Sequence, residues 1–169
     1  AAAASTAAVG TGAPSSLAAA ASVGSPKSAG RKSDPTPKPE ALSPANAFAQ
    51  AMDAYSRGKL DLAQSRFESF IDENPRNENL PEAIFTLGRV YYDGRQFANA
   101  SIQFLNIYEK YPRSPFAAES VYRLGLTLQK LEKTEQACLA LSRVPLDYPK
   151  ADKEILSKAA AALDRYKCR

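Results

Sequence analysis

Two cysteines, Cys138 and Cys168, have the greatest capacity for chemistry in this chain. The 169 residues include no histidine, which removes Ser–His–Asp and Cys–His catalysis and most zinc sites. A zinc ion would also need more ligands than two thiolates. A cysteine pair in a small chain indicates a disulfide if the compartment is oxidising, and two reduced thiols otherwise. The sequence leaves both alternatives open.

The other motifs with chemical potential are weak. Gly10-Thr11-Gly12 is the nearest approach to a phosphate-binding loop, but no strand, lysine or helix accompanies it. The acidic residues of the predicted helices are expected on a solvated surface. They include Asp61, Glu68, Asp72 and Glu73. Since no nucleophile or acid–base pair has a partner, we expect a non-enzymatic protein without cofactor or metal.

Charge and hydropathy exclude two further classes of partner. The net charge of +4 comes from 22 basic and 18 acidic residues, which are mixed along the folded part of the chain. This mixture is typical of a solvated surface, so we expect no nucleic-acid partner. No run of about 18 apolar residues occurs, so we expect no membrane span.

The composition divides the chain into two parts. Residues 1–43 are rich in Ala, Ser, Gly and Pro and contain no aromatic residue, which predicts a disordered linker. Residues 44–169 contain all the aromatic residues, enough for one sizeable core. The chain begins without Met, so we expect a mature form or a piece of a longer protein.

A repeat with a period of 37 residues organises the second part. It is marked by three sets of equivalent positions: Pro75, Pro112 and Pro149; Ala63, Ala100 and Ala137; and Phe67, Phe104 and Leu141. A period of this size predicts a solenoid, in which each unit buries its apolar face against its neighbours. Solenoids of this size mostly bind other proteins.

Apolar residues at helical spacing predict two helices in each unit, which makes the fold all-α. The predicted helix pairs are 45–57 with 60–73, 81–94 with 97–110, and 118–131 with 134–146. The predicted repeats are about 44–80, 81–117 and 118–150, and a capping helix follows at 152–166. Pro145 lies near the end of the sixth helix and is expected to end or kink it there.

Small residues at repeated positions predict close approach of helices. Ala63, Ala100 and Ala137 are expected where the two helices of one unit meet. Gly88 and Gly125 are expected to allow the same approach on the first helices, because each costs about 1 kcal/mol of helix propensity that packing must return.

The first helices of the three units are expected to line a concave groove. Spacing of i, i+4 and i+7 selects nine candidates for partner binding: Phe48, Met52, Tyr55, Phe85, Arg89, Tyr92, Tyr122, Leu126 and Gln129. Most are aromatic or aliphatic, which favours an extended peptide or an amphipathic helix as ligand. The alternative is that these residues belong to the core.

The disulfide alternative makes a geometric demand. If the capping helix runs back beside the sixth helix, the level of Cys138 is reached near Ala159 or Ala160. Cys168 would then lie about two turns further, on the order of 12 Å away. A bridge therefore requires the chain to leave the helix near Tyr166 and curl back.

The repeated motif resembles the tetratricopeptide repeat. The second unit shows it most fully, in Leu87-Gly88-Arg89-Val90-Tyr91, Phe97 to Phe104, and Tyr111-Pro112. Three extra residues per unit and the segment Tyr111–Pro115 are similar to periplasmic proteins of Gram-negative bacteria, in particular the YbgF/CpoB family of the Tol-Pal system. That family combines a coiled coil, a low-complexity linker and three repeats; this chain has the last two.

The resemblance implies a periplasmic adaptor whose partners are a TolA-like protein and a peptidoglycan synthase. Such an adaptor helps outer-membrane constriction keep pace with septal wall synthesis during cell division. The family's coiled coil, which is missing from this sequence, would provide oligomerisation. The groove lacks the Lys/Asn pair with which some tetratricopeptide domains hold a C-terminal carboxylate, and Arg89 alone is a weak substitute. The alternative resemblance is to BamD-type outer-membrane assembly lipoproteins, which usually have five repeats, or to another tetratricopeptide scaffold.

Overall fold

The computed structural model describes residues 42–168, and within them every regular element is an α-helix. The helices are α1 Pro44–Ser56, α2 Leu60–Glu73, α3 Leu80–Asp93, α4 Phe97–Lys110, α5 Ala117–Lys130, α6 Thr134–Asp147 and α7 Lys153–Arg165. Each begins and ends within a residue of its predicted bound. The predicted disorder of residues 1–43 lies outside the described residues, apart from Leu42 and Ser43, and Ser43 caps α1 by accepting a hydrogen bond from the Asn46 amide.

Each helix packs against the next one along the chain, which is the arrangement of an α-solenoid. The largest fully buried side chains come from the second helices of the units, as the shared register predicts. They include Phe67, Phe70, Phe104, Ile107 and Leu141. Within residues 42–168, every helix falls short of the length and apolar character that crossing a membrane requires.

The turn inside each unit repeats with the same period as the sequence. Its left-handed residue is Gly58 in the first unit, Arg95 in the second and Glu132 in the third, with φ of 69°, 59° and 61°. The next amide in each case donates to a carbonyl five residues back, which closes the helix end. Gly94 marks the second turn in the sequence, but its φ is −76°, so the strained position is Arg95.

The expected close approach of helices is confirmed. Ala63, Ala100 and Ala137 are fully buried. A Cβ atom on Gly88 would lie 2.7 Å from Phe104 Cε1, and one on Gly125 would lie 2.5 Å from Leu141 Cγ. Both distances are too short for a carbon–carbon contact, so a side chain at either glycine would force Phe104 or Leu141, or the helix that carries it, to shift.

Pro145 does not end α6, so that part of the expectation is wrong. The helix continues two residues further, to Asp147, and the Tyr148 amide closes it by donating to Val144. Proline lacks an amide hydrogen, so Pro145 withdraws only the bond that would reach the Leu141 carbonyl. In the last turn of a helix this single loss is tolerated.

The capping helix α7 packs on α6 and also on α5. Its Ala159 and Ala162 are buried. After α7, Lys167 adopts a φ of 55° and the Cys168 amide donates to the Leu163 carbonyl, which repeats the turn found inside the units. This turn brings Cys168 to Cys138, where the two form a disulfide with their Cα atoms 5.4 Å apart. The tail thus leaves the helix near Tyr166 as the bridge requires.

Candidate functional site

The surface formed by α1, α3 and α5, here called the inner face, contains all nine predicted groove residues. Eight are partly buried: Phe48, Met52, Tyr55, Arg89, Tyr92, Tyr122, Leu126 and Gln129. Partial burial is the state expected of residues that pack on their own helices and still present a surface to a partner.

Phe85 is the exception, because only 4% of it is exposed. Its ring stacks on Phe116 at 5.2 Å between centroids and lies 6.1 Å from the ring of Phe104. Two guanidinium groups, those of Arg89 and Arg123, lie over its ring. Phe85 therefore belongs to the core, which is the alternative that the sequence left open for the groove candidates. It lies beneath the arginines and supports them.

Tyr55 links the first helix of unit one to that of unit two. The guanidinium carbon of Arg89 lies 5.2 Å from the centroid of the Tyr55 ring, within the range of a cation–π contact. The Tyr55 hydroxyl donates a hydrogen bond of 2.7 Å to Asp93 Oδ2. Burial first, and then this hydrogen bond, raise the pKa of Tyr55 above its ordinary value of 10.0, which extends to higher pH the range in which its hydroxyl is a donor.

Arg123 is a residue of the inner face that sequence reasoning missed. It forms an ion pair of 2.7 Å with Glu119, and its guanidinium carbon lies 5.7 Å from the Phe85 centroid. The i, i+4, i+7 spacing on α5 runs from Tyr122 to Leu126 and Gln129 and so passes over Arg123, which the period aligns with the buried Thr86. The Glu119–Arg123 spacing of i, i+4 is the signal that could have indicated a helical ion pair, which the structure shows to be partly buried.

The two ends of the inner face differ. Phe48 packs on α2, with its ring 5.4 Å from that of Phe70, so much of it serves the first unit's core. At the other end Tyr122 packs beside α7 in a cluster with Ile155.

Tyr92 of the middle helix is a second phenol whose pKa is raised, first by burial and then by the neighbouring Tyr166, so it too stays protonated to higher pH than a free tyrosine.

A second surface was not predicted from the sequence. A pocket of about 430 Å³, here called the outer pocket, opens between α4 and α6 over α5. Ile102 and Leu139 are at its edge and are 60% and 61% exposed. These two residues are 37 apart, so the period places equivalent aliphatic side chains on neighbouring units.

The chemistry that these surfaces offer is recognition. The inner face supplies cations on aromatic rings, neutral phenol donors and aliphatic side chains, which are the groups that dominate protein interfaces. Within residues 42–168, no group of three or more Cys, Asp or Glu side chains could hold a metal ion.

Comparison with known proteins agrees with this geometry. Residues 119–151 match the family model for the tetratricopeptide repeat, which covers most of α5 and all of α6. The N-terminal domain of stress-induced protein-1 (STI-1) from C. elegans is a solved structure of similar fold. It shares 17% sequence identity with this chain, covers 70% of this chain and 95% of its own, and superposes with a TM-score of 0.57. No curated protein matches the chain in sequence.

The fold is therefore an all-α tetratricopeptide solenoid with a capping helix, as the sequence predicted. Sequence identity as low as that with the STI-1 domain establishes the fold alone. Tetratricopeptide proteins are generally non-catalytic, and the fold suggests a scaffold for protein–protein interaction.

Proposed function

We propose that this protein is a periplasmic, non-enzymatic adaptor that binds a segment of another protein along its inner face. The observation that carries the proposal is the continuity of this face across three helices. Arg89 of α3 lies over Tyr55 of α1, while Arg123 of α5 lies over Phe85 of α3. An extended segment crossing the face would meet all three helices, and a binding site of this type needs no catalytic group.

The resemblance to the YbgF/CpoB family supplies the biological setting of this proposal. Its partners would be a TolA-like protein and a peptidoglycan synthase, and its role would be to coordinate outer-membrane constriction with septal wall synthesis. The disulfide supports an oxidising compartment such as the periplasm.

The test measures binding of the full chain to the periplasmic part of TolA from a Gram-negative bacterium by titration calorimetry. We expect Tyr92→Ala to weaken binding by about 1–3 kcal/mol, because truncating an aromatic anchor removes its contact with the partner. Leu146→Ala is the matched control, since Leu146 is 69% exposed and belongs to neither surface.

Two outcomes would change the proposal. If Tyr92→Ala binds normally and Leu139→Asp abolishes binding, the outer pocket is the partner site. If the unmodified chain does not bind, the TolA-like partner is wrong.

A further inference from the structure

Arg89 is a cation on the inner face without an anionic partner in the described structure. Within residues 42–168 the ion pairs involve Arg57, Arg123, Arg143 and Lys158, and no carboxylate lies within salt-bridge distance of Arg89. The residue is partly buried, and its guanidinium is held over the rings of Tyr55 and Phe85. A guanidinium held on aromatic rings loses less side-chain freedom on binding an anion than a freely moving surface arginine does.

The nearest acidic residue along the helix is engaged elsewhere. Asp93 follows Arg89 by four residues, the spacing of a helical ion pair, yet its Oδ2 atom accepts the Tyr55 hydroxyl at 2.7 Å. The Tyr55 ring meanwhile holds the Arg89 guanidinium at 5.2 Å. Tyr55 therefore binds both members of a pair that does not form. On α5, Glu119 is paired with Arg123.

Packing does not require a charge at this position. The period aligns Arg89 with Met52 in the first unit and Leu126 in the third, and both are partly buried like Arg89. An uncharged side chain thus occupies the same site in the two neighbouring units. The guanidinium is a departure from the repeat: it contacts the rings of Tyr55 and Phe85, and these contacts leave it without an anionic partner within residues 42–168.

We propose that Arg89 binds the carboxylate of an aspartate or glutamate within an extended segment of the partner protein, a conclusion that depends on the proposed function. Arg89 lies on α3, the middle helix of the inner face, and the period makes Met52 of α1 and Leu126 of α5 its equivalents on the two flanking helices. A chain end at Arg89 would cover only one of these helices, whereas an internal acidic residue covers both. Arginine also presents paired N–H donors that match a carboxylate.

The experiment uses a displayed library of random twelve-residue peptides, each flanked by constant sequence so that no free terminus is offered. Peptides selected by the full chain should share one acidic residue at a fixed distance from an aromatic or aliphatic residue. Replacing this acid with its amide should weaken binding roughly 10- to 100-fold, the range for a hydrogen bond to a charged group. This replacement changes only the peptide, so the result does not depend on how a protein variant folds.

Protein variants complete a double-mutant cycle. Arg89→Leu copies the residue of the third unit and should bind the acidic peptide and its amide equally weakly, whereas Arg76→Leu in an exposed loop should leave the preference intact. Tyr55→Phe keeps the ring and frees Asp93 to pair with Arg89, so it should lower affinity for the acidic peptide several-fold. Asp93→Asn with Tyr55→Phe should restore that affinity.

The outcomes separate the two proposals. Selected peptides without an acidic preference, or an acidic preference that survives Arg89→Leu, would overturn the role of Arg89 and leave the peptide-binding function standing. Binding that requires a free C-terminal carboxylate, tested with free-acid and amidated synthetic peptides, would overturn the choice of an internal acid. A library that yields no peptide bound to the inner face would overturn both proposals.

Discussion

The Cys138–Cys168 bridge should account for a large part of the stability of the domain. It joins residues 30 apart in the sequence and ties the tail after α7 to α6. Closing a loop of this length lowers the conformational entropy of the unfolded chain, which increases the free energy of unfolding by roughly 3–4 kcal/mol. Serine is close to cysteine in size and keeps the amide that donates to Leu163, so Cys168→Ser removes little except the covalent bond.

Urea unfolding followed by circular dichroism measures this effect. With a urea dependence of about 2 kcal/mol per molar, the midpoint of Cys168→Ser should lie about 1.5–2 M below that of the oxidised chain. Reductant should move the midpoint of the unmodified protein to that of the variant and leave the variant unchanged. Thiol titration of the unfolded protein, isolated without reductant from its native compartment, should find no free sulfhydryl.

Equal midpoints for the oxidised protein and Cys168→Ser would refute the reasoning about loop entropy. Two free thiols per chain would refute the bridge itself and would remove the chemical argument for the periplasm.

Three further predictions concern the fold. Phe85→Ala should lower the free energy of unfolding in urea titrations by about 3–5 kcal/mol, because it leaves a cavity where a buried aromatic ring was. A variant of normal stability would contradict the placement of Phe85 in the core. Arg95→Gly and Glu132→Gly should each increase the free energy of unfolding by roughly 0.5–1 kcal/mol, because glycine adopts a positive φ without strain. The thermal midpoint of each variant should therefore rise, and a lower midpoint would contradict this reasoning. Burial and the hydrogen bond to Glu68 raise the pKa of Tyr91 from 10.0 to about 12. Above pH 10 the unfolded chain loses the phenol proton while the folded chain keeps it, so the stability that Tyr91 adds relative to Tyr91→Phe should be full below pH 10 and decline as the pH rises toward 12. Urea titrations of both proteins across that range measure this difference.

The helices could be predicted closely because packing between units repeats along the chain. Phe104 and Leu141 occupy equivalent positions under Gly88 and Gly125, so one spacing in the sequence specifies one contact in space. The left-handed turn residue was harder to predict, because it is Gly58 in one unit and Arg95 in another. The same backbone hydrogen bonds close the turn whether its left-handed residue is glycine or arginine. The residue type at this position therefore does not identify the turn in the sequence.

The inner face could be predicted as a surface, but the state of each side chain could not. Helical spacing selected Phe85 and Arg89 equally, since they lie one turn apart on α3. Phe85 is covered in part by Phe116, which directly precedes α5 and stacks on its ring. A residue in the connection between two helix pairs has no counterpart in the repeat motif, so the period does not reveal this contact.

The period distinguishes residues that build the solenoid from candidates for partner binding. Where packing decides, the residue type recurs, as with Ala63 and Ala100, which are both fully buried. At other equivalent positions the residue type differs between units although each residue is partly buried, so packing alone does not determine the residue type there. Arg89, which aligns with a methionine and a leucine, is such a position. The rings of Tyr55 and Phe85 contact its guanidinium, but within residues 42–168 no carboxylate lies at salt-bridge distance from it. In the proposed role of Arg89, the carboxylate that pairs with it is expected on the partner.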